Sequence, residues 1–157
     1  VETYGLDGAL FIRPDENDKS FAGAVVTESE REGFFRAASQ QAQPHDLCVV
    51  ARPVALGAEW RVVVADGMAI TGSQYRFRGR LQVVPGALEA VLRLAGEAMR
   101  GWSPHPIVCV DVAETGAGEL KVLELGSVNC AGLYGCDLAR VVEAMSRVAE
   151  REWGGRG

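Results

Sequence analysis

The stretch IVCVDVAETGAGELKVLELG, residues 107–126, decides the fold of this chain. Two apolar runs flank a glycine-containing turn, a pattern that predicts an antiparallel hairpin. One carboxylate interrupts each run, Asp111 in the first and Glu124 in the second. A hairpin centred between Ala117 and Gly118 places these carboxylates directly opposite each other, because both are equally far from that centre. The sequence therefore predicts two acidic side chains that face each other in one sheet.

Two facing carboxylates inside an apolar hairpin require a partner. A buried, unpaired carboxylate is costly, and facing side chains in an antiparallel ladder lie roughly 5 Å apart. A divalent cation between Asp111 and Glu124 would relieve their repulsion, and Asn129 carries an amide oxygen suited to magnesium. Alternatives stay open: one carboxylate lies at an exposed strand edge or pairs with an arginine, and Asn129 only shapes the glycine-rich turn.

The rest of the chain predicts an α+β fold with mainly antiparallel sheets rather than βαβ winding. Asp66-Gly67 between two apolar runs is a strong hairpin signal, and Thr27 with Glu30 forms a capping-box pattern that opens a helix. The predicted strands are 8–14, 47–54, 59–65, 68–75, 78–84, 107–113 and 120–125, and the predicted helices are 27–41, 85–100 and 137–153. The predicted lobes are 1–54 and 59–153, with a linker at 55–58 and a tail at 154–157.

Composition bounds the kind of protein and its partners. The chain has 157 residues, of which 48% are hydrophobic and 24% charged, and its formal net charge is -5. This acidic balance argues against a general nucleic-acid or membrane-surface binder, although a locally basic cleft stays open. The arginines that could line such a cleft are Arg61, Arg76, Arg78 and Arg80.

The sequence shows no signal peptide, no apolar run of membrane-spanning length and no CxxC pair among its four cysteines. We therefore expect a cytoplasmic protein without a zinc site, in which Cys48 and Cys109 are buried free thiols within strands. The chain starts at Val1, and an apparent strand follows almost at once. This abrupt start suggests a missing N-terminal part, although processing would look the same.

Charged residues near the first strand and near residue 60 suit a ligand that carries phosphates. Arg13 ends an apolar strand and Lys19 lies in the following loop, where both cations and backbone N–H groups can surround phosphate oxygens. Glu59 could accept hydrogen bonds from ribose hydroxyls, and Arg61 shares its sheet face by strand alternation. Solvated charges on a turn, or a Glu–Arg pair on a solvated face, are the alternatives.

Taken in order, these segments resemble an ATP-grasp domain. The matching stretches are FIRPDENDKSFAG (11–23), DLCVVARPV (46–54), EWRVVVADGMAITGSQYR (59–76) and VLELGSVNCAGLYGCD (122–137). They are most similar to the ATP-grasp clade in which an arginine takes the place of the usual first lysine. The resemblance runs from about Gly8 to Met145.

The resemblance implies a fold of two small lobes with ATP and Mg2+ bound between them, the first lobe binding nucleotide and the second binding magnesium. The implied nucleotide ligands are Arg13 and Lys19 for the phosphates, Val50, Ala51, Arg52 and Pro53 for the adenine, and Glu59 for the ribose. The implied metal ligands are Asp111, Glu124 and Asn129, and the arginines implied to face the phosphates or the acceptor are Arg61 and Arg76.

The implied activity is that of an ATP-dependent ligase. A small-molecule or peptide carboxylate would become an acyl phosphate, which an amine or a thiol then attacks. Such chemistry needs charge neutralisation and alignment rather than a protein nucleophile. Two positions depart from the pattern: Gly126 replaces the asparagine of the usual Glu-x-Asn, and Cys109 replaces an arginine common in relatives. A catalytically impaired nucleotide-binding module and an interaction domain therefore stay open as alternatives.

Overall fold

The computed structural model describes residues 8–15, 20–43 and 46–154 of the chain. These residues form two antiparallel sheets and three α-helices, so the predicted α+β class is confirmed. The chain divides into two compact units, 1–54 and 55–157, and each unit contains one sheet. Within the described ranges, none of the helices combines the length and apolar character that crossing a membrane requires.

The first unit is a three-stranded sheet with one helix. Its elements are β1 (Leu10–Pro14), β2 (Ala24–Val26), α1 (Arg31–Ala38) and β3 (Cys48–Ala51), with strand order β2–β1–β3. Leu10 and Ile12 are buried on one side of β1, and Phe34 of α1 packs against them. The capping box before α1 is present, because the Glu30 carboxylate accepts a hydrogen bond from the Thr27 backbone N–H at 3.0 Å.

The second unit is a five-stranded sheet with two helices. Its elements are β4 (Leu56–Ala65), β5 (Met68–Phe77), β6 (Arg80–Pro85), α2 (Glu89–Arg100), β7 (Ile107–Thr115), β8 (Leu120–Ser127) and α3 (Leu138–Gly154). The strand order is β6–β5–β4–β7–β8. Asp66 and Gly67 have φ values of 49° and 76°, which suits a two-residue hairpin turn. The predicted hairpin at this position is therefore confirmed.

The two faces of this sheet are covered differently. Alternate residues of the inner strands, such as Val62 and Val110, form an apolar face that packs on Val91 and Ala95 of α2; we call it the α2 face. The opposite side, the α3 face, packs against α3 through residues that include Val63. Farther along β4 and β7 the α3 face becomes polar and charged. This change from apolar to charged residues marks the candidate site.

The second helix begins later than predicted. Pro85 ends β6 instead of opening the helix, Gly86 follows with a φ of 89°, and α2 begins only at Glu89. The fixed φ of proline is compatible both with the end of an edge strand and with a first helical turn. Sequence pattern alone therefore could not distinguish the two.

Elements of the first unit are shorter than predicted. The helix ends at Ala38 rather than Gln41, and β3 ends at Ala51. The segment outside strands is therefore 52–55, because β4 already begins at Leu56. Cys48 is exposed rather than buried, since β3 is an edge strand of its sheet.

Candidate functional site

The two carboxylates of the hairpin face each other as predicted. Strands β7 and β8 are antiparallel, and Asp111 is the register partner of Glu124. Asp111 is buried and Glu124 is exposed, because β7 is an inner strand and β8 is an edge strand. Register partners point to the same side of a sheet, so both carboxylates lie on the α3 face.

A β-bulge produces this pairing. Next to the turn, the paired residues are symmetric about Ala117. The sequence had predicted a centre of symmetry between Ala117 and Gly118. Continued without interruption, that register would place Leu123 opposite Asp111 and turn Glu124 to the other face. The ladder instead shifts by one residue, so that Leu123 is the extra residue on β8 and Glu124 faces Asp111. The predicted facing is correct, but the bulge rather than the turn accounts for it.

Arg61 holds Asp111 from the neighbouring strand β4. Its Nε donates to Oδ1 at 2.8 Å and its Nη2 donates to Oδ2 at 2.7 Å. The two side chains are 16% and 7% exposed. Hydrogen bonding to Asp111 raises the pKa of the Arg61 guanidinium above its ordinary value, although desolvation opposes the shift. Both alternatives that the sequence left open for the carboxylates are thus present: Asp111 pairs with an arginine, and Glu124 lies exposed on an edge strand.

The candidate metal ligands in and after the hairpin are oxygen atoms, the type of ligand that magnesium uses. Each Asp111 oxygen accepts one hydrogen bond from Arg61 and keeps a further lone pair. No residue in the described ranges pairs with the Glu124 carboxylate, and the Asn129 amide oxygen accepts a hydrogen bond from the Ser127 hydroxyl. The described residues contain no group of three or more His, Cys, Asp or Glu side chains that could hold a metal. Magnesium commonly uses one or two carboxylates together with substrate phosphates, which these residues allow.

A second bulge brings Tyr75 and Arg76 together beside Glu59. On β5, Tyr75 is the extra residue between the ladder pairs Glu59–Arg76 and Trp60–Gln74. The Tyr75 hydroxyl donates to Glu59 Oε2 at 3.0 Å, and Arg76 Nη1 contacts the same oxygen at 3.4 Å. Burial raises the pKa of the Tyr75 hydroxyl above its ordinary value. Glu59 Oε1 has no hydrogen bond within the described part of the chain, which leaves an acceptor for a ligand.

The arginines expected in one basic cleft do not all lie on one sheet face. Arg61 and Arg76 lie on the α3 face, and their guanidinium carbons are 5.7 and 5.4 Å from the centre of the Tyr75 ring. Arg80 pairs with Phe77, whose other ladder partner Ala58 belongs to the apolar core of the α2 face, so strand alternation places Arg80 on that face. Arg78 lies in the turn between β5 and β6.

Sequence reasoning included the loop 131–136 in the matching stretch 122–137 but gave its tyrosine no role. The carbonyl oxygen of Gly132 accepts a hydrogen bond from Arg61 Nη1 at 3.0 Å. Tyr134 has a φ of 50° and its ring stacks on Tyr75, with centroids 4.9 Å apart and planes inclined by 13°. The signal was present in the sequence as a tyrosine bracketed by glycines. No spacing rule related it to Arg61, which lies more than seventy residues earlier.

Cys109 occupies the position two residues before Asp111. Burial raises the pKa of its thiol to about 11, so the side chain is uncharged at neutral pH. It therefore cannot provide the positive charge that the resemblance places at this position. The cation beside Asp111 is Arg61, which approaches from the adjacent strand.

In the first unit, the predicted nucleotide ligands lie near strand ends. Arg13 is exposed on β1, and its Nη1 donates to the carbonyl oxygen of the next residue at 2.8 Å. Val50 and Ala51 end β3, and Arg52 follows as an exposed residue outside the strands. Lys19 lies outside the described residues.

Comparisons with known proteins agree with this architecture. A family model described as an ATP-grasp domain, family 2 of the arginine-for-lysine clade, matches residues 2–144. D-alanine–D-alanine ligase from Bacillus anthracis is similar with a TM-score of 0.62 at 14% identity, over 95% of this chain and 56% of that one. The ATP-grasp ligase PsnB, complexed with a minimal precursor, gives 0.58 at 15% identity, over 90% of this chain and 48% of that one. No curated protein sequence matches the chain.

A further solved structure, N5-carboxyaminoimidazole synthetase from Staphylococcus aureus complexed with ADP, gives a TM-score of 0.51 at 13% identity, over 76% of this chain and 33% of that one. At such identities the similarity to solved structures establishes the fold alone. The chain spans about half the length of the first two structures. The family match covers nearly all of its residues. The chain therefore belongs to the ATP-grasp domains, in family 2 of the arginine-for-lysine clade.

Proposed function

We propose that this chain carries nucleotide- and magnesium-binding residues of an ATP-dependent ligase that joins a carboxylate to an amine or a thiol through an acyl phosphate. The observation that supports the proposal most is the facing pair Asp111 and Glu124, with the Arg61 guanidinium beside it. ATP-grasp membership supports the class of reaction. Solved structures of PsnB with Mg and ADP bound support the choice of cofactors.

The proposed nucleotide ligands form two groups, one within each unit. Magnesium, when bound by Asp111, Glu124 and Asn129, would neutralise charge on the nucleotide phosphates. Backbone groups of Val50, Ala51, Arg52 and Pro53 are proposed for the adenine, and Arg13 with Lys19 for the phosphates. The free Oε1 of Glu59 is proposed to accept a hydrogen bond from the ribose. A nucleotide held between two lobes stays a prediction of the resemblance.

The proposed reaction requires positioning rather than a protein nucleophile. A carboxylate oxygen of the substrate attacks the γ-phosphorus, the bond to the bridging oxygen breaks, and ADP leaves. An amine or thiol then attacks the acyl carbon, loses a proton, and phosphate leaves. Arg76 is the arginine suited to contact the transferring phosphoryl group or the acceptor, because its side chain is 45% exposed and its hydrogen bond to Glu59 is long, at 3.4 Å. The acceptors are proposed to be small-molecule or peptide carboxylates.

A nucleotide-binding module without turnover is the second candidate. Cys109 favours it, because a buried neutral thiol stands where relatives carry a cation. Gly126 favours it as well, since glycine has no side-chain oxygen to bind a metal. Both candidates require binding of Mg·ATP and differ only in turnover.

Replacing Glu124 by Gln tests the proposal. The substitution keeps size and removes the charge of an exposed residue, so we expect the fold to persist and magnesium-dependent ATP turnover to be abolished. Turnover is measured as ADP release with a panel of amino acids and acidic peptides, and hydroxylamine is added to trap the acyl phosphate as a hydroxamate. Glu119→Gln is the matched control, because Glu119 is an exposed glutamate of the same hairpin, paired with Lys121.

The outcomes separate the two candidates. Normal turnover in Glu124→Gln would remove the metal assignment. Binding of Mg·ATP by calorimetry without ADP release or hydroxamate would favour the module without turnover. Absence of Mg·ATP binding by the unmodified chain would exclude both candidates.

A further inference from the structure

Two tyrosines lie against the guanidinium that holds Asp111. The rings of Tyr75 and Tyr134 are stacked, and the Arg61 guanidinium carbon lies 5.7 and 5.4 Å from their centroids. Both distances are within the range of a cation–π contact. Tyr75 is buried and fixed by its hydrogen bond to Glu59, whereas Tyr134 is 43% exposed. Tyr134 is thus the outer member of an aromatic pair that covers Arg61.

The loop that carries Tyr134 is anchored to β5. The Gly135 N–H donates to the Ser73 hydroxyl at 3.1 Å, and the Asp137 N–H donates to the Thr71 hydroxyl at 3.0 Å. A Cβ atom at Gly135 would lie 3.1 Å from Pro85 Cα, which is a tight contact, so a larger residue would require its neighbours to move apart. These contacts hold Tyr134 in place although its φ of 50° is unfavourable for a residue with a side chain.

Arg61 has little freedom in this setting. Its Nε and Nη2 bind the two oxygens of Asp111, and its Nη1 binds the carbonyl oxygen of Gly132. A guanidinium fixed on three sides and covered by two rings keeps the carboxylate that it binds in one orientation. Arg76, in comparison, has one long contact with Glu59 and one contact with the Tyr75 ring, and its side chain is 45% exposed. The two arginines of the α3 face therefore differ in the number of hydrogen bonds that hold them.

We propose that Tyr134 is a positioning residue for Asp111 and acts through Arg61. The ring of Tyr134 keeps the guanidinium in the plane in which it binds both Asp111 oxygens, and this orients the remaining lone pairs of Asp111 toward Glu124 and a shared cation. The expected effect of Tyr134 on nucleotide binding with magnesium rests on the proposed function. The contact between Tyr134 and Arg61 itself does not depend on that function.

The test compares Tyr134→Ala with Tyr134→Phe and Tyr134→Leu in the 157-residue chain. All four residues have a Cβ atom, so the backbone cost at this φ is similar and the ring is the main difference. One readout is hydrogen exchange of the Arg61 Nε–H by NMR, with the signal assigned by its loss in Arg61→Lys. The other is the affinity for Mg·ADP by calorimetry, and thermal unfolding confirms that each variant is folded.

In Tyr134→Ala we expect Nε–H exchange to become roughly 3- to 30-fold faster and Mg·ADP binding to weaken by a similar factor, as loss of one cation–π contact implies. Tyr134→Phe should match the unmodified chain, and Tyr134→Leu should resemble Ala. Unchanged exchange in Tyr134→Ala, or faster exchange with unchanged Mg·ADP affinity, would overturn the proposal. Leu behaving like Phe would overturn its aromatic basis. If the unmodified chain binds no Mg·ADP, the proposed function fails, while Nε–H exchange still decides whether Tyr134 holds Arg61.

Discussion

Two arginine–aspartate pairs in the second unit have nearly the same hydrogen-bond lengths in different surroundings. Arg61 binds Asp111 at 2.8 and 2.7 Å, and Arg151 binds Asp66 at 2.7 and 2.8 Å. The side chains are 16% and 7% exposed in the first pair but 55% and 43% exposed in the second. Water screens the second pair and competes for its hydrogen bonds, whereas the first pair has lost most of its hydration.

The comparison shows that the hydrogen-bond lengths of an ion pair do not reveal its role. The Arg151 pair joins the last turn of α3 to the β4–β5 turn, which is a structural link. The Arg61 pair has a third hydrogen bond, two aromatic neighbours and a second carboxylate opposite its aspartate. Burial and surroundings, rather than distances, therefore distinguish the candidate site from the structural link.

The largest expected effect is that of Asp111→Ala on stability. Removal of this carboxylate leaves the Arg61 charge largely buried without its partner, which costs about 3–5 kcal/mol. The free energy of unfolding is measured by urea denaturation followed by tryptophan fluorescence. Glu124→Ala is the control on the same sheet face and should change stability little, because Glu124 is exposed. Equal effects of the two substitutions would contradict the assignment of Arg61 as a desolvated charge.

Replacing both members of the buried pair should have a smaller effect. Arg61→Met combined with Asp111→Leu removes both charges and keeps much of the volume, so most of the stability lost in Asp111→Ala should return. Binding of Mg·ADP should not return, because the carboxylate is gone. The same denaturation and calorimetry experiments check this. A double variant as unstable as Asp111→Ala would indicate that packing rather than charge causes the loss.

The smallest expected effect is that of Asp66→Asn, and it should depend on pH. Hydrogen bonding to Arg151 holds the pKa of Asp66 below its ordinary value. The stabilising contribution is therefore complete above the unfolded-state pKa, about 3.9, and is lost as pH falls through the lower folded-state pKa. We expect a small stability difference between Asp66→Asn and the unmodified chain at pH 7 that shrinks near pH 3. A difference that grows on acidification would show that the sign is wrong.

Local patterns of the second unit could be predicted because neighbouring residues encode them. The Asp66-Gly67 turn follows from spacing over a short distance, as does the capping box at Thr27 in the first unit. The facing of Asp111 and Glu124 was predicted correctly, but it depends on the bulge at Leu123, which the spacing did not indicate. The predicted start of the second helix at Pro85 was wrong, because proline suits both the end of an edge strand and a first helical turn. Predictions were thus most accurate where a single local structure satisfied the pattern.

Contacts across the sheet could not be predicted in the same way. Arg61 and Asp111 are fifty residues apart, and their pairing depends on the strand order β5–β4–β7, which periodicity does not provide. The aromatic cover of Arg61 requires the Tyr75 bulge and the anchored loop with Tyr134, neither of which has a simple sequence signature. The sequence thus identified the charged residues of the candidate site but not the residues that contact them.

Because Leu123 is an extra residue on β8, the number of residues between Asp111 and Glu124 does not alone determine whether they face each other. Deletion of Leu123 would restore a continuous ladder and still leave the glutamate opposite Asp111, with one residue fewer between the two carboxylates. Because β8 is an edge strand, a change in its length affects its unpaired edge and leaves the pairing of the inner strands unchanged. A hairpin one residue shorter would therefore carry the same facing acidic pair. Searches for equivalent acidic pairs in divergent sequences should therefore allow the number of residues between the two carboxylates to differ by one.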